Sequence, residues 1–338
     1  MLYMPYVKNY EQILIEQNID YDIINWDRFQ MEEISDNTFR DKKKGHQRNF
    51  YDYLKYKKFL VNHLSINDYD KIIVFGIQLS YFLKKFIQNK YKDKSIIDIR
   101  DHNMILKFFK IERIIECSTF TVLSSPGYTE WLPKSNKYLI NHNTHISSIN
   151  ELKERTRFNQ EEICIANIGA LNELKINTIF INSLKNNINF RLNYHGEGNV
   201  NKDLISYLKA NEIKNVFVTG RYDKEEEGKF YENGDLINVL RANNGINNRT
   251  ALPNRLYNAI LYGKPLLTFE GSYLAEVISK YHLGIVITSF NNIVQELLDY
   301  IKQVDLKAFN EGRENFLTKA IEDNILFSEE LRRFISIK

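Results

Sequence analysis

Glycine and proline are scarce, at 14 and 5 of 338 residues, against ordinary usage of about 7% and 5%. Collagen-like, linker-like and Pro-rich disordered chains are thereby excluded. Cysteine is nearly absent. Cys117 and Cys164 sit in apolar runs with no Cys-x-x-Cys pair, so two reduced, buried thiols are expected rather than a disulfide or a metal site. No apolar run approaches the roughly 18 residues of a membrane span, and the N-terminus lacks a signal pattern. A cytoplasmic protein, peripheral at most to the inner face of the cell membrane, is the expectation. Neither charge dominates: 46 basic and 43 acidic residues leave a net +3, too balanced for a dedicated nucleic-acid binder. What is abundant is core material, 43% hydrophobic and 13% aromatic, in a length that suggests roughly two domains.

The pattern along the chain is α/β. Tyr6 to Gln17 reads as an amphipathic helix and Tyr21 to Trp26 as a strand, with only Met1 to Met4 available for a strand before them. A helix from Phe50 to Leu64 follows, then strand Lys71 to Gly76, helix Leu79 to Asn89, and strands Ser95 to Arg100, Thr119 to Ser124 and Lys137 to Asn141. The polar stretch 146–160, ending in a charged run, reads as a linker. Beyond it strands and helices alternate again from Ile163 to Lys302, and the tail from Leu306 to Phe334 reads as helical. Repeated βαβ units imply parallel sheets covered on both faces. The expected architecture is two Rossmann-like domains facing across a cleft, at 1–145 and 161–312, with the helices of 313–338 returning to the first.

Ligands of open parallel sheets sit at the strands' carboxyl ends, where loops enter helices. In the second domain those ends carry Gly169, then His195-Gly196-Glu197-Gly198. Gly169 reads equally as a tight turn. The Gly196/Gly198 pair permits close approach of an anion or sugar, although neither a Walker loop nor a dinucleotide fingerprint is present. Asn243 to Lys264 is more informative. Pro253 suits a helix start, exposing the amides of Asn254, Arg255 and Leu256 at the positive dipole end, bracketed by Arg249 and Arg255. Together they suit a diphosphate, with a solvated basic helix end as the alternative. Glu270, closing the next strand, suits sugar hydroxyls; Glu276 does too, or it simply faces solvent.

In the first domain, Arg100-Asp101-His102-Asn103 places a cation, a carboxylate and an imidazole in one strand-end loop, suited to general-base or charge-stabilising work; an N-cap with a paired neighbour is the alternative. Ser125 and Trp131 stand at a strand end where aromatics and hydroxyls meet sugars, and Trp131 reads equally as a core anchor. His142 falls where the chain crosses between domains, within reach of the cleft or in a hinge hydrogen bond. No zinc-ligand spacing and no Gly-x-Ser-x-Gly elbow occurs, so neither metal nor cofactor is expected. The basic segment from Arg40 to Lys58 has the composition of a membrane-surface patch, or of a solvated face.

These residues resemble a known family. Pro253-Asn-Arg-Leu-Tyr-Asn-Ala-Ile-Leu-Tyr-Gly-Lys-Pro265, followed by Glu276 and Gly284, is similar to the nucleotide-sugar half of GT-B glycosyltransferases of bacterial capsule and exopolysaccharide synthesis, close to glycosyltransferase family four. The segments Ile97 to Asp101, Ser124 to Gly127, Trp131 to Pro133 and His142-Asn143 resemble elements of the same enzymes. The resemblance implies a nucleoside-diphosphate sugar in the second domain, with Arg221, Tyr222 and Tyr257 near it and Arg255 neutralising the leaving diphosphate. It implies a glycan or lipid-linked acceptor in the first domain, near Asp101 or His102. One departure stands out: two glutamates common in that family are replaced by Thr250 and Asn258. The expected activity is metal-independent transfer of one sugar, helped by domain closure. The rivals are an epimerase of the same fold and a non-catalytic glycosyltransferase-like partner subunit; a homo-oligomer is left open.

Overall fold

The computed structural model describes residues 4–154, 158 and 161–336, so the strand expected at residues 1–4 lies almost wholly outside them. The chain divides into two compact units, Met1–His142 with Asp323–Lys338, and Asn143–Glu322.

The first unit contains α1 (Val7–Glu16), β1 (Asn25–Trp26), β2 (Thr38–Phe39), α2 (Phe50–Ile66), β3 (Ile72–Phe75), α3 (Ile77–Asn89), β4 (Ser95–Ile99), α4 (Glu112–Cys117), β5 (Phe120–Leu123) and β6 (Tyr138–Ile140). Strands β3-β4-β5-β6 form a parallel sheet in that order. The strand expected over Tyr21 to Trp26 shrinks to two residues, paired with β2 in a separate small sheet. Its acidic first half is left in solvent, and only Asn25 and Trp26 are buried. Helix α2 starts at a complete capping box, in which Asn49 and Asp52 each accept the other's backbone N–H.

The second unit contains β7 (Ile163–Ile168), α5 (Leu174–Ser183), β8 (Phe190–His195), α6 (Asn201–Ala210), β9 (Val216–Gly220), α7 (Glu227–Asn233), β10 (Leu236–Asn238), α8 (Ile246–Thr250), α9 (Asn254–Leu261), β11 (Leu266–Phe269), α10 (Tyr273–Lys280), β12 (Gly284–Ile287) and α11 (Ile293–Gln303). Its six parallel strands run β12-β11-β10-β7-β8-β9. Period-two alternation divides the core. Ile163, Ile165 and Leu236 pack on one side with α5, α6 and α11, while Ala166, Ile168 and Ile237 pack on the other with α9 and α10. These are two Rossmann-like α/β units.

Both expected domain boundaries move. Within 146–160, Ile146 is buried in the second unit's core, Ser148 caps a turn at Ile149–Glu151, and Lys153 N–H donates to the Leu261 carbonyl at 2.8 Å. The segment through Glu154 is therefore docked rather than a tether, and residues 155–157, 159 and 160 lie outside the described ones. The tail is one helix, α12 (Leu306–Ser336). It changes unit at Asp323, not 313, because Phe316, Leu317 and Ala320 belong to the second unit's core. Buried Arg313 also caps the end of α9, donating from Nε to the Ile260 carbonyl at 2.8 Å. From Asp323 onward, Phe327, Leu331 and Phe334 join Tyr10, Ile96, Phe120 and Val122 in the first unit's core.

A buried ion pair organises the first unit. Asp98, fully buried on β4, receives Arg100 Nε at 2.6 Å and Arg100 Nη2 at 2.8 Å, with the Tyr10 hydroxyl donating at 2.5 Å. Arg100 also donates to the carbonyl and side-chain oxygens of Asn141 at 3.0 and 2.8 Å, tying β4 to the end of β6. Asn141 bonds Asn324 of α12. Removing one partner of a buried pair strands the other's charge. Asp98→Asn should therefore cost about 3–5 kcal/mol. Both tryptophans, Trp26 and Trp131, lie in this unit, so urea unfolding followed by tryptophan fluorescence reads the loss directly; a shift under about 1 kcal/mol contradicts the assignment.

Candidate functional site

In the second unit the chain leaves β7 for β8 and β9 on one side and returns to place β10 on the other. The reversal lies between β7 and β10, where ligands of doubly wound sheets bind. Near the carboxyl ends of these strands stand two buried asparagines, Asn167, the last residue but one of β7, and Asn238, the last of β10. Arg255, in the first turn of α9, reaches both: Nη1 donates to Asn167 Oδ1 and to the Asn238 carbonyl, each at 2.9 Å. One nitrogen thus ties two strand ends, leaving Nε and Nη2 of the guanidinium fork. Burial lowers the Arg255 pKa, opposed by Tyr231, Tyr222 and Glu173. No carboxylate bonds to it among the described residues.

Around Arg255 the loops are fixed by residues of several elements. Glu173, before α5, is held at φ 60°, a left-handed conformation unusual for glutamate. Its carboxylate accepts from Ala242 N–H at 2.7 Å and Asn248 Nδ2 at 2.9 Å, stitching the loop after β7 to the loop after β10. Tyr222 donates to Glu227 Oε2 at 2.8 Å, and Asn258 Nδ2 donates to Glu227 Oε1 at 2.9 Å. Burial, with Glu227 as hydrogen-bond and charge partner, raises the Tyr222 pKa, keeping the phenol neutral. Arg241, Asn243 and Glu270 line a shallow recess at the ends of β10 and β11.

Several predicted residues prove structural. Gly196 and Gly198 do not open backbone to a ligand: a Cβ at Gly196 would stand 2.0 Å from the Gly169 carbonyl oxygen, and one at Gly198 1.9 Å from that of Leu171. They let the loop after β8 lie against the loop after β7. Gly169 does face open space at φ 106°. His195 is 8% exposed, stacked on Phe230 at 3.9 Å and paired with Thr219 at 3.1 Å. Pro253 is the N-cap of α9 rather than its first residue, and the Leu256 N–H is taken by the Pro253 carbonyl. Only Asn254 and Arg255 keep the expected amide role, and the Asn254 side chain accepts from Asn143. Tyr257 is a core residue against Phe316. Arg221, Glu270 and Glu276 are exposed, and Arg249 is half-buried on α8. Lys264 of the Gly-Lys-Pro turn is buried, capping α7 at the Glu232 carbonyl.

In the first unit, Arg100 is consumed by Asp98 and Asn141 rather than presented to an acceptor. Ser125 is wholly buried and caps the turn at Pro126–Glu130. His142 is buried against α12, its Nε2 3.1 Å from Asp323 and its N–H donating to Asn324. Asp101, His102 and Trp131 remain together at the end of β4, with His102 edge-on to Trp131 at 5.1 Å. The Asp101 residue is exposed while desolvation of its carboxyl raises the pKa, opposed by Arg100. Desolvation and Lys107 lower the His102 pKa.

Two Asp-x-Asp pairs occur, Asp20/Asp22 and Asp68/Asp70, both in the first unit. Asp22 is engaged by Asn37 and Tyr69. Among the described residues no group of three metal-ligating side chains occurs. Both cysteines are free and half-buried rather than buried, and burial beside Asp235 raises the Cys164 thiol to about 11. No described helix is long and apolar enough to cross a membrane. Three cations of the Arg40 to Lys58 segment are spent internally, Arg40 on Asp27, Lys43 on Asp52 and Arg48 on Asp41.

No protein-family model matches the chain, and no curated protein sequence does. Solved structures match along nearly its whole length. The sucrose-phosphate synthase of Thermosynechococcus elongatus is 13% identical, covers 98% of this chain and 93% of its own, and superposes with a TM-score of 0.72. WaaG, a glycosyltransferase involved in lipopolysaccharide biosynthesis, is 12% identical over 96% and 94% with a TM-score of 0.62. Anabaena HepE, in complex with UDP and glucose, is 11% identical over 95% and 88% with a TM-score of 0.58. The fold is thus the GT-B fold of glycosyltransferases.

Two outcomes follow from the geometry. Gly198→Ala should destabilise the second unit by roughly 1–3 kcal/mol, since its Cβ meets backbone rather than a movable side chain; a thermal melt unchanged from wild type contradicts this. Burial, and secondarily Arg191, depresses the His195 pKa from 6.5 to about 4. The unfolded chain binds the proton first, so this contribution is complete above pH 6.5 and is lost as pH falls toward 4. His195→Gln should lose less melting temperature than wild type between those pH values, and parallel profiles would refute the assignment.

Proposed function

We propose that the protein is a glycosyltransferase moving a sugar from a nucleoside-diphosphate donor to a glycan or lipid-linked acceptor, without a metal, in bacterial surface polysaccharide synthesis. The observation that carries this reading is Arg255 at the reversal of strand order, locked by two strands and bonded to no carboxylate among the described residues. A fixed guanidinium suits the charge that develops on a departing diphosphate, where preorganised donors stabilise the transition state most. The open Gly169 turn and the first amides of α9 add donors for phosphate oxygens. Tyr222, Glu270 and Arg249 are the side chains read as flanking the donor. HepE, whose structure was determined with UDP and glucose, supports a donor of this class. On the acceptor side, Asp101 with its raised pKa is the base candidate, and His102 and Trp131 flank it.

A thermal-shift panel of UDP, GDP, CDP and TDP sugars tests the reading, since a ligand of the native state raises the melting temperature. At least one donor should give a shift. Arg255→Ala should weaken that donor on the order of 10- to 100-fold, the loss expected for hydrogen bonds to a charged group, about 1.5–3 kcal/mol. A flat panel on the wild-type protein rejects donor binding. A positive panel without transfer to any added glycan would leave the non-catalytic partner reading, and donor conversion without an acceptor would leave the epimerase.

A further inference from the structure

The first unit contains a recess of about 420 Å³, within the 300–1,000 Å³ range of small-ligand sites. It is framed by the segment after β1 and the starts of α2 and α3. Part of its lining is aromatic: Tyr53 and Phe82 stack with centroids 5.3 Å apart and planes 4° from parallel. Phe50 and Ile105 add apolar surface, and the rest is polar, with Arg28, His46, Gln78 and Asn103 but no carboxylate.

The two arginines of the lining differ in what cancels them. Arg48 forms a two-point pair with Asp41, Nε and Nη2 lying 3.0 and 3.1 Å from its two carboxylate oxygens. Arg28 has no carboxylate partner among the described residues. Its guanidinium stands 4.7 Å over the Trp26 ring and 5.5 Å from the Tyr53 ring. Nη2 donates to the Tyr53 hydroxyl at 3.0 Å, and Nε is enclosed without an acceptor. The aromatic planes therefore hold a cation in place without neutralising it. A fixed guanidinium takes carboxylate or phosphate oxygens in a two-point contact. The side-chain amides of Gln78 and Asn103 suit hydroxyls, and half-buried Tyr53, backed by buried Phe82, gives the recess an apolar wall for the carbon skeleton of a sugar.

We propose that this recess is the acceptor subsite and that the sugar it takes carries an anionic group, a carboxylate or a phosphate, which pairs with Arg28. The proposal rests on reading the first unit as the acceptor half of a glycosyltransferase. A neutral sugar would fill the same space and leave the charge unpaired, so Arg28 sets specificity as well as affinity.

Calorimetric titration of the full-length protein with D-glucuronate, glucose 6-phosphate, glucose and inorganic phosphate tests it. At least one anionic sugar should bind about tenfold or more tighter than glucose, more weakly as salt is raised, and Arg28→Gln should erase that preference. The better of the two anionic sugars identifies the group. Equal binding of glucose, phosphate binding as tightly as glucose 6-phosphate, no binding at all, or a preference that survives Arg28→Gln would each overturn the proposal. Because Arg28 also packs on Trp26 and Tyr53, Gln78→Leu provides a second reading. It should weaken the preferred sugar several-fold with the melting temperature held, and an unchanged affinity counts against the site. The donor panel is independent of these sugars. Anionic-sugar binding with a flat donor panel removes the transferase reading and the acceptor role with it, leaving an anionic-sugar site, whereas a positive panel with no sugar binding removes only this subsite.

Discussion

A parallel sheet ends in polar groups that its own ladder does not satisfy, and each unit of this protein meets that constraint with an arginine. In the first, Arg100 joins Asp98 of β4 to Asn141 after β6. In the second, Arg255 joins Asn167 of β7 to Asn238 of β10. The two differ in one respect that decides their use. Arg100 is bonded to a fully buried carboxylate, so its charge is cancelled and its work is structural. Among the described residues Arg255 is bonded only to neutral oxygens, so its charge persists at the point where the sheet reverses direction. The same contrast separates Arg48 from Arg28 in the first-unit recess. In these two pairs, the guanidinium bonded to a carboxylate builds the fold, and the other is the cation proposed here for an anionic ligand.

Much of this was legible in the sequence. Alternating apolar strands and amphipathic helices identify both α/β units, and α9 starts directly after Pro253, where the sequence places a helix start. Boundaries that depend on tertiary contact were not legible. Nothing local says that Ile146 is buried while Glu151 caps a turn, or that α12 changes partner at Asp323. Its apolar residues recur on both sides of Asp323, and only the cores they meet assign them to a unit.

At the candidate site, sequence reasoning finds residues with exposed chemical character and misses those that position them. Arg255 and Gly169 were recognisable from Pro253 and from a strand end. Asn167 and Asn238 left a faint signal, since asparagine is depleted in strands and here stands in the last two residues of two apolar ones. Glu173 left none, because its left-handed backbone is imposed by the Ala242 and Asn248 contacts rather than by its own preference. Gly196 and Gly198 were recognised as functional in spacing yet serve loop packing. A glycine required for close approach looks the same in sequence whether the approaching atoms belong to a ligand or to another loop.

Thr250 and Asn258, standing where the resembling enzymes carry two glutamates, also acquire a physical meaning. The Thr250 hydroxyl is consumed by the Ile246 carbonyl, and the Asn258 amide by Glu227, so neither is presented to a sugar. Carboxylates at those positions would partly cancel Arg255; their absence leaves its charge less screened, which favours the diphosphate end of a donor over its sugar end. On this reading the two halves of the ligand are recognised unequally. The phosphates meet a preorganised cation and the backbone around it, while the sugar meets the exposed side chains of Glu270 and Glu276. Such a division makes donor affinity depend chiefly on the nucleoside diphosphate, and it assigns the discrimination between sugars to the loops after β10 and β11.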